Sequence, residues 1–158
     1  MTCQESAIND RRVTSDSEEQ RQAESILRGL FSQRTGVSVE KRRVDLKGFI
    51  FELDGISEPD GVIAEFYSHL GELKPGHRRK VDSDLLKLLL FEKLTGKPWR
   101  KYFVFACPTA ASRYRSGNSW SARISTAFGI NIEVIELDPE VADRLKDAQK
   151  RQSQPGAT

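Results

Sequence analysis

Asp54 and Glu65 lie in the run from Phe49 to His69, which reads as a strand, a short turn at Pro59-Asp60-Gly61 and a second strand. Antiparallel pairing through that turn would set the two carboxylates side by side. A basic segment, Arg78-Arg79-Lys80, then opens a helix that continues through Asp84 and Lys87. Two acids at a sheet edge are the hard oxygen donors that a Mg²⁺-type ion takes while keeping several waters. Such an ion polarises a phosphoryl oxygen and lowers the pKa of an attacking water, and a lysine can orient that water or steady charge. Asp54, Glu65 and Lys80 thus have the right types to cut a phosphodiester. They also suit a bland reading: Asp54-Gly55 is a turn pair, and Lys80 with Asp84 is an i,i+4 helix pair. Glu65 resists it more, because a carboxylate on an otherwise apolar strand costs free energy if buried without a partner.

Composition bounds the setting. The chain has 158 residues, 37% hydrophobic and 30% charged, which suits one soluble domain with a real core. A net charge of +2 does not by itself argue for a nucleic-acid partner. The cations do cluster, at Arg11-Arg12, Lys41-Arg42-Arg43, Arg78-Arg79-Lys80 and Arg100-Lys101, and such patches either neutralise phosphates or form solvated faces. Cys3 and Cys107 have no metal-ligand spacing and no expected disulfide, which fits a reducing cytoplasm. The N-terminus has no apolar signal core, and no apolar run approaches the ~20 residues of a membrane helix, so a cytoplasmic protein without a membrane partner is expected.

The elements that must position these residues follow from periodicity. Residues 1–15 read as a flexible tail, 16–151 as a single α/β domain and 152–158 as a second tail. Ser15 and Glu18 have capping-box spacing, and Ala23, Ile26, Leu27, Leu30 and Phe31 follow the helical repeat, predicting a helix over 17–33 ended by Thr35-Gly36. Strands are predicted near 37–46, 48–56 and 62–69, with Glu65, Tyr67 and His69 sharing one face of the third. A helix over 78–94 buries Val81, Leu85 and Leu88, and carries Lys80, Asp84 and Lys87 along a second stripe. Tyr102 to Ala106 reads as a strand buried on both faces. A broken helix over 109–128, a strand over 130–137 and a final helix opened by Asp138-Pro139 complete the chain. Trp99 and Trp120 read as half-buried packing residues, although Trp99, amid Lys97, Arg100 and Lys101, could stack on a base. Strands between helices imply an α/β fold with a mixed central sheet.

With its helix, three strands, helix and strand between about Ser17 and Cys107, and its acids at 54 and 65, the chain resembles the PD-(D/E)XK nuclease superfamily. The resemblance implies a restriction-endonuclease-like αβββαβ core with a C-terminal helix-strand-helix extension. It implies a Mg²⁺- or Mn²⁺-dependent endodeoxyribonuclease in which Asp54 matches the aspartate of the second strand and Glu65-Phe66-Tyr67 the acid-x-lysine tripeptide of the third. Tyrosine stands where lysine is expected. In some members the lysine has moved to the following helix, where Lys80 is the natural substitute and Lys74, on the loop before it, a weaker one. Glu24 matches the helical acid, with Glu19 or Glu18 as alternatives. Asp60, after Pro59, rivals Asp54 as metal ligand. DNA is the implied partner, held by Arg42, Arg43, His69, Arg78 and Arg79, and homodimers on two-fold sites follow by analogy. The missing tripeptide lysine also allows an inactive nuclease-fold module that binds nucleic acid or protein.

Overall fold

Residues 3–154 are described by a computed structural model, with side chains from residue 18 onward. Helix α1 (Cys3–Thr35) leads into β1 (Glu40–Leu46), β2 (Phe49–Ser57) and β3 (Val62–Tyr67), followed by α2 (Pro75–Thr95) and β4 (Arg100–Phe105). The remainder forms α3 (Pro108–Arg115), α4 (Trp120–Ala127), β5 (Ile130–Val134) and α5 (Pro139–Ser153). The fold is α/β, a mixed sheet flanked by helices.

The strands lie in chain order, β1-β2-β3-β4-β5. The pairs β1/β2 and β2/β3 are antiparallel, as short turns allow, whereas β3/β4 and β4/β5 are parallel and joined by helical crossovers. Alternation then sorts the core. Ile63 and Tyr67 of β3, with Phe103 and Phe105 of β4, join Val81, Leu85 and Leu88 of α2 and Tyr114 of α3 in one cluster. Val62, Ala64 and Phe66, with Val104 and Ala106, pack against Ala23, Leu27 and Phe31 of α1 and Leu145 of α5 in the other. The central strands are buried on both faces, as their unbroken apolar runs require.

Three expectations are revised. Helix α1 starts well ahead of Ser17, for no glycine or proline interrupts residues 3–17. Ser15 is therefore interior to the helix, and its side chain, with the expected capping box, lies outside the described residues. The expected flexible tails fall in part on residues 1–2 and 155–158, also outside the described residues. Trp99 is buried, donating from Nε1 to Thr95 Oγ1 at 2.9 Å, and is no stacking platform. Trp120 instead stands 80% exposed, on a helix whose Ser119 cap accepts the Ala122 N–H. Gly36 ends α1 at a φ of 72°, as the Thr35-Gly36 pair predicts.

One irregularity bears on everything that follows. Glu40 pairs with Ile56 but Arg42 with Leu53, so Asp54 and Gly55 together oppose Lys41 in a β-bulge. Leu53 and Ile56, three residues apart, consequently both reach the α2-side core. At Gly55 a Cβ would meet Val39 Cγ2 at 3.0 Å and Phe66 Cε2 at 3.1 Å. Gly55→Val should therefore destabilise the fold by ~1–3 kcal/mol through overpacking. An unchanged urea-unfolding midpoint would show that the bulge has room after all.

Candidate functional site

Glu65 sits on β3 between Ile63 and Tyr67, on the face turned to α2, and is 1% exposed. The cation that meets it is Lys87, carried by the polar stripe of α2 beside the buried Leu85 and Leu88. Lys87 Nζ contacts Glu65 Oε1, donates to the Glu52 carbonyl at 2.8 Å and stands 3.5 Å from Asp84 Oδ1. Asp54 reaches the same place from the bulge in β2. Its Oδ2 accepts the Phe66 N–H at 3.1 Å, just beyond the last ladder pair, Gly55 with Ala64, and its carboxyl shares a hydrogen bond with Glu65. The Asp54 carbonyl accepts from Arg28 Nε at 2.7 Å, which ties α1 to the bulge. Glu24, one helical turn before Arg28, lies half-buried within the field of Asp54.

Burial outweighs the cations here. Burial, then Asp54, holds the Glu65 carboxyl well above the usual carboxylate range, against the opposing pull of Lys87. Burial works against the Lys87 ammonium too, but Glu65, Asp84 and Asp54 outweigh it and raise its pKa. Burial and Asp54 push Glu24 up to about 7, although Lys41, Lys80 and Arg28 oppose this. Tyr67 is pushed up to about 12, by burial and by Asp84 and Glu24, and so stays a neutral phenol.

The structure thus gathers Asp54, Glu65 and Glu24, and it assigns the lysine differently from the sequence. Lys80 donates to Asp84 Oδ2 at 3.1 Å with its side chain 60% exposed, and reaches the site only as a distant charge on Glu24. Lys87, two turns further along the same stripe, occupies the place expected of Lys80. The signal was present in the sequence, since a strand carboxylate needs a cation and the stripe offers two. Which one arrives depends on how α2 docks on β3.

Asp60 is also reassigned. Its Oδ2 accepts from Ser57 Oγ at 2.8 Å in the hairpin turn, at the far end of β3 from Tyr67, where it secures the turn and cannot join Glu65. Arg42 is held between Glu40 and Glu58, so its charge is already neutralised. Arg43 and Arg79 are exposed and Arg78 is half-buried. Lys74 is exposed at the start of α2. Glu18 pairs with Arg21 and Glu19 with Arg151, which leaves Glu24 as the helical acid nearest Asp54. His69 lies half-buried with its ring centroid 4.1 Å from that of His77.

Among the described residues no three His, Cys, Asp or Glu side chains stand together as a metal-ligating group. The donor set is two carboxylates, which is what a hard divalent ion that keeps most of its waters accepts. Glu65 is buried beside Asp54, and burial with that neighbour holds its carboxyl well above the usual range, where a bound cation would favour the ionised form. The residues therefore fit such an ion. No family model matches the chain, and no curated protein or solved structure matches it.

A pH dependence follows. A carboxyl whose folded pKa lies above its unfolded value stabilises the fold below the unfolded value and loses that contribution as pH rises through the folded one. Glu24, raised from 4.5 to about 7, should make the metal-free protein lose stability across that interval. Glu24→Gln should flatten the slope in thermal melts between pH 4.5 and about pH 7. Parallel curves for the two proteins would mean that Glu24 is not held protonated.

Proposed function

We propose that this chain is a metal-dependent nuclease that hydrolyses DNA phosphodiester bonds, with a site of the PD-(D/E)XK kind on a restriction-endonuclease-like core. The observation that carries the reading is Lys87 of α2 pressed against a buried strand carboxylate, Glu65, with Asp54 hydrogen-bonded beside it. Asp54 and Glu65 would hold Mg²⁺ or Mn²⁺. When bound, the ion would supply Lewis acidity and a water of lowered pKa.

The chain's own residues do the positioning. Lys87, kept charged by three surrounding carboxylates, presents an ammonium to a phosphoryl oxygen or to the attacking water. Asp54 is fixed by the Phe66 N–H, so its carboxylate does not have to be ordered when substrate arrives. Glu24 supplies a carboxyl poised near neutrality that can hold or release a proton beside Asp54. Tyr67, at the position of the tripeptide lysine, contributes no charge. Arg43 and Arg79, exposed and with no ion pair among the described residues to compete, are the cations best suited to the phosphate backbone.

A second reading, an inactive nuclease-fold module that binds nucleic acid, draws on Tyr67 and on the lack of a three-ligand group among the described residues. Plasmid and single-stranded DNA, incubated with the chain while Mg²⁺ or Mn²⁺ is titrated, separate the two. Glu65→Gln and Lys87→Met should each lower the cleavage rate by at least ~10²-fold, the usual cost of losing one electrostatic contact to the transition state. Cleavage that is absent from the wild type, or equal in Glu65→Gln, would refute the enzyme. DNA binding that persists in the Asp54→Ala, Glu65→Ala double variant, without hydrolysis, would favour the module.

A further inference from the structure

Past Tyr67 the chain leaves β3 and runs under α5, and here a second polar environment opens. Two adjoining cavities, of about 200 Å³ and about 530 Å³, share His69, His77, Gln149 and Gln152 in their walls. The charged groups that line them are all cationic: Lys80 in the smaller, and Lys74, Lys146 and Lys150 in the larger. The chain has 23 acids, yet among the described residues none lines either cavity. The first turn of α2, whose free N–H groups open beside His77, carries no acidic residue either.

Ser68 provides an independent pointer. It lines the smaller cavity, is 1% exposed, and its Oγ has no hydrogen-bond partner. A buried hydroxyl without a partner costs free energy and calls for an explanation. The walls are also held in place. Gln149 of α5 clamps the Leu70 backbone from both sides, accepting its N–H at 2.9 Å and donating to its carbonyl at 3.0 Å.

We propose that this cleft binds a phosphate monoester, with Ser68, His77, Lys74 and Lys146 as its contacts. The lysines, a helix N-terminus and two imidazoles suit a dianion better than a diester, because a monoester carries nearly two charges near neutrality and a diester one. His77 Nδ1 accepts the Lys74 N–H at 3.4 Å, so in the neutral ring Nε2 carries the proton and donates. His69 is brought down to about 4, by burial, His77 and Lys74, and His77 is lowered by burial and Lys74. A bound dianion reverses that field. The cleft adjoins the acids, since Tyr67, which shares the Glu65 face of β3, lines the smaller cavity and Lys80 acts on Glu24. Resting on the nuclease reading, the occupant is the terminal phosphate of a nucleic-acid chain, which would anchor an end at a set distance from the bond to be cut.

Binding is measured on the full chain in EDTA, so that it does not depend on hydrolysis. The probes are inorganic phosphate and labelled oligonucleotides of one sequence, bearing a 5′-phosphate, a 3′-phosphate or only hydroxyl ends. A terminal phosphate should tighten binding about tenfold or more over hydroxyl ends. Lys74→Ala with Lys146→Ala, both at exposed positions, should abolish the difference. Ser68→Ala should weaken it while leaving the melting temperature unchanged or higher, since the hydroxyl it removes has no partner. Inorganic phosphate that binds and shifts the imidazole NMR signals, without any preference among the oligonucleotides, would uphold the monoester site and assign it to free phosphate. Equal affinity for all three oligonucleotides with no phosphate binding would overturn the site. Those results stand whether or not the chain cuts DNA.

Discussion

A carboxylate with 1% of its surface exposed, set between two apolar neighbours on a central strand, is the constraint around which this molecule is arranged. Glu65 can stay in the sheet only as a neutral acid or beside a cation. The fold supplies both remedies in part. Lys87 comes in from α2, and burial beside Asp54 favours the neutral acid. Because Lys87 also reaches the Glu52 carbonyl and Asp84, the pairing sets the position of α2 along the sheet as well as the charge of the site. What remains is a buried pair of carboxyl groups sharing one close lysine, which a proton or a hard ion can satisfy.

Asp54 joins that arrangement through a backbone irregularity. In a regular strand, alternation would carry Asp54 to the face opposite Leu53, and Ile56 away from the α2-side core. The extra residue at Asp54-Gly55 changes the phase, restores Ile56 to the core and leaves the Asp54 carboxylate free to take the Phe66 N–H. Gly55 is the residue that permits it, lying where Val39 and Phe66 close in from the α1 side. Arg28 binds the Asp54 carbonyl from α1, and Lys87 of α2 binds the Glu52 carbonyl just before the bulge. Helix α1 brings Glu24 to the site by the same tie.

Much of this was legible beforehand, and what was not has identifiable causes. Periodicity found the strands and the later helices, because the cores on the two sheet faces need apolar residues at those spacings, but it missed the polar first half of α1, whose sequence carries no apolar stripe to mark it. Asp54 and Glu65 came together as the hairpin predicted. The sequence points to Lys80, which opens the helix amid Arg78 and Arg79, with Lys74 behind it, but local charge density says nothing of which helical turn will lie over Glu65. Asp60 looked like a ligand because it follows Pro59, yet a turn residue satisfies its own hairpin before anything else. Arg42 looked like a phosphate contact, but strand pairing puts Glu58 within its reach, and that partner is sixteen positions away in the chain.

The chain by itself determined its layers: apolar residues recur at helical or strand spacing, and burying them leaves few arrangements other than a sheet between helices. It also determined that Glu65 must find a partner, since the cost of a bare buried charge does not depend on where the partner comes from. Only the tertiary structure decided who the partner is. That choice rests on the docking of α2 against β3 and on a one-residue phase change in β2. Both are properties of surfaces meeting at the scale of a side chain, and sequence spacing does not measure distance across a sheet.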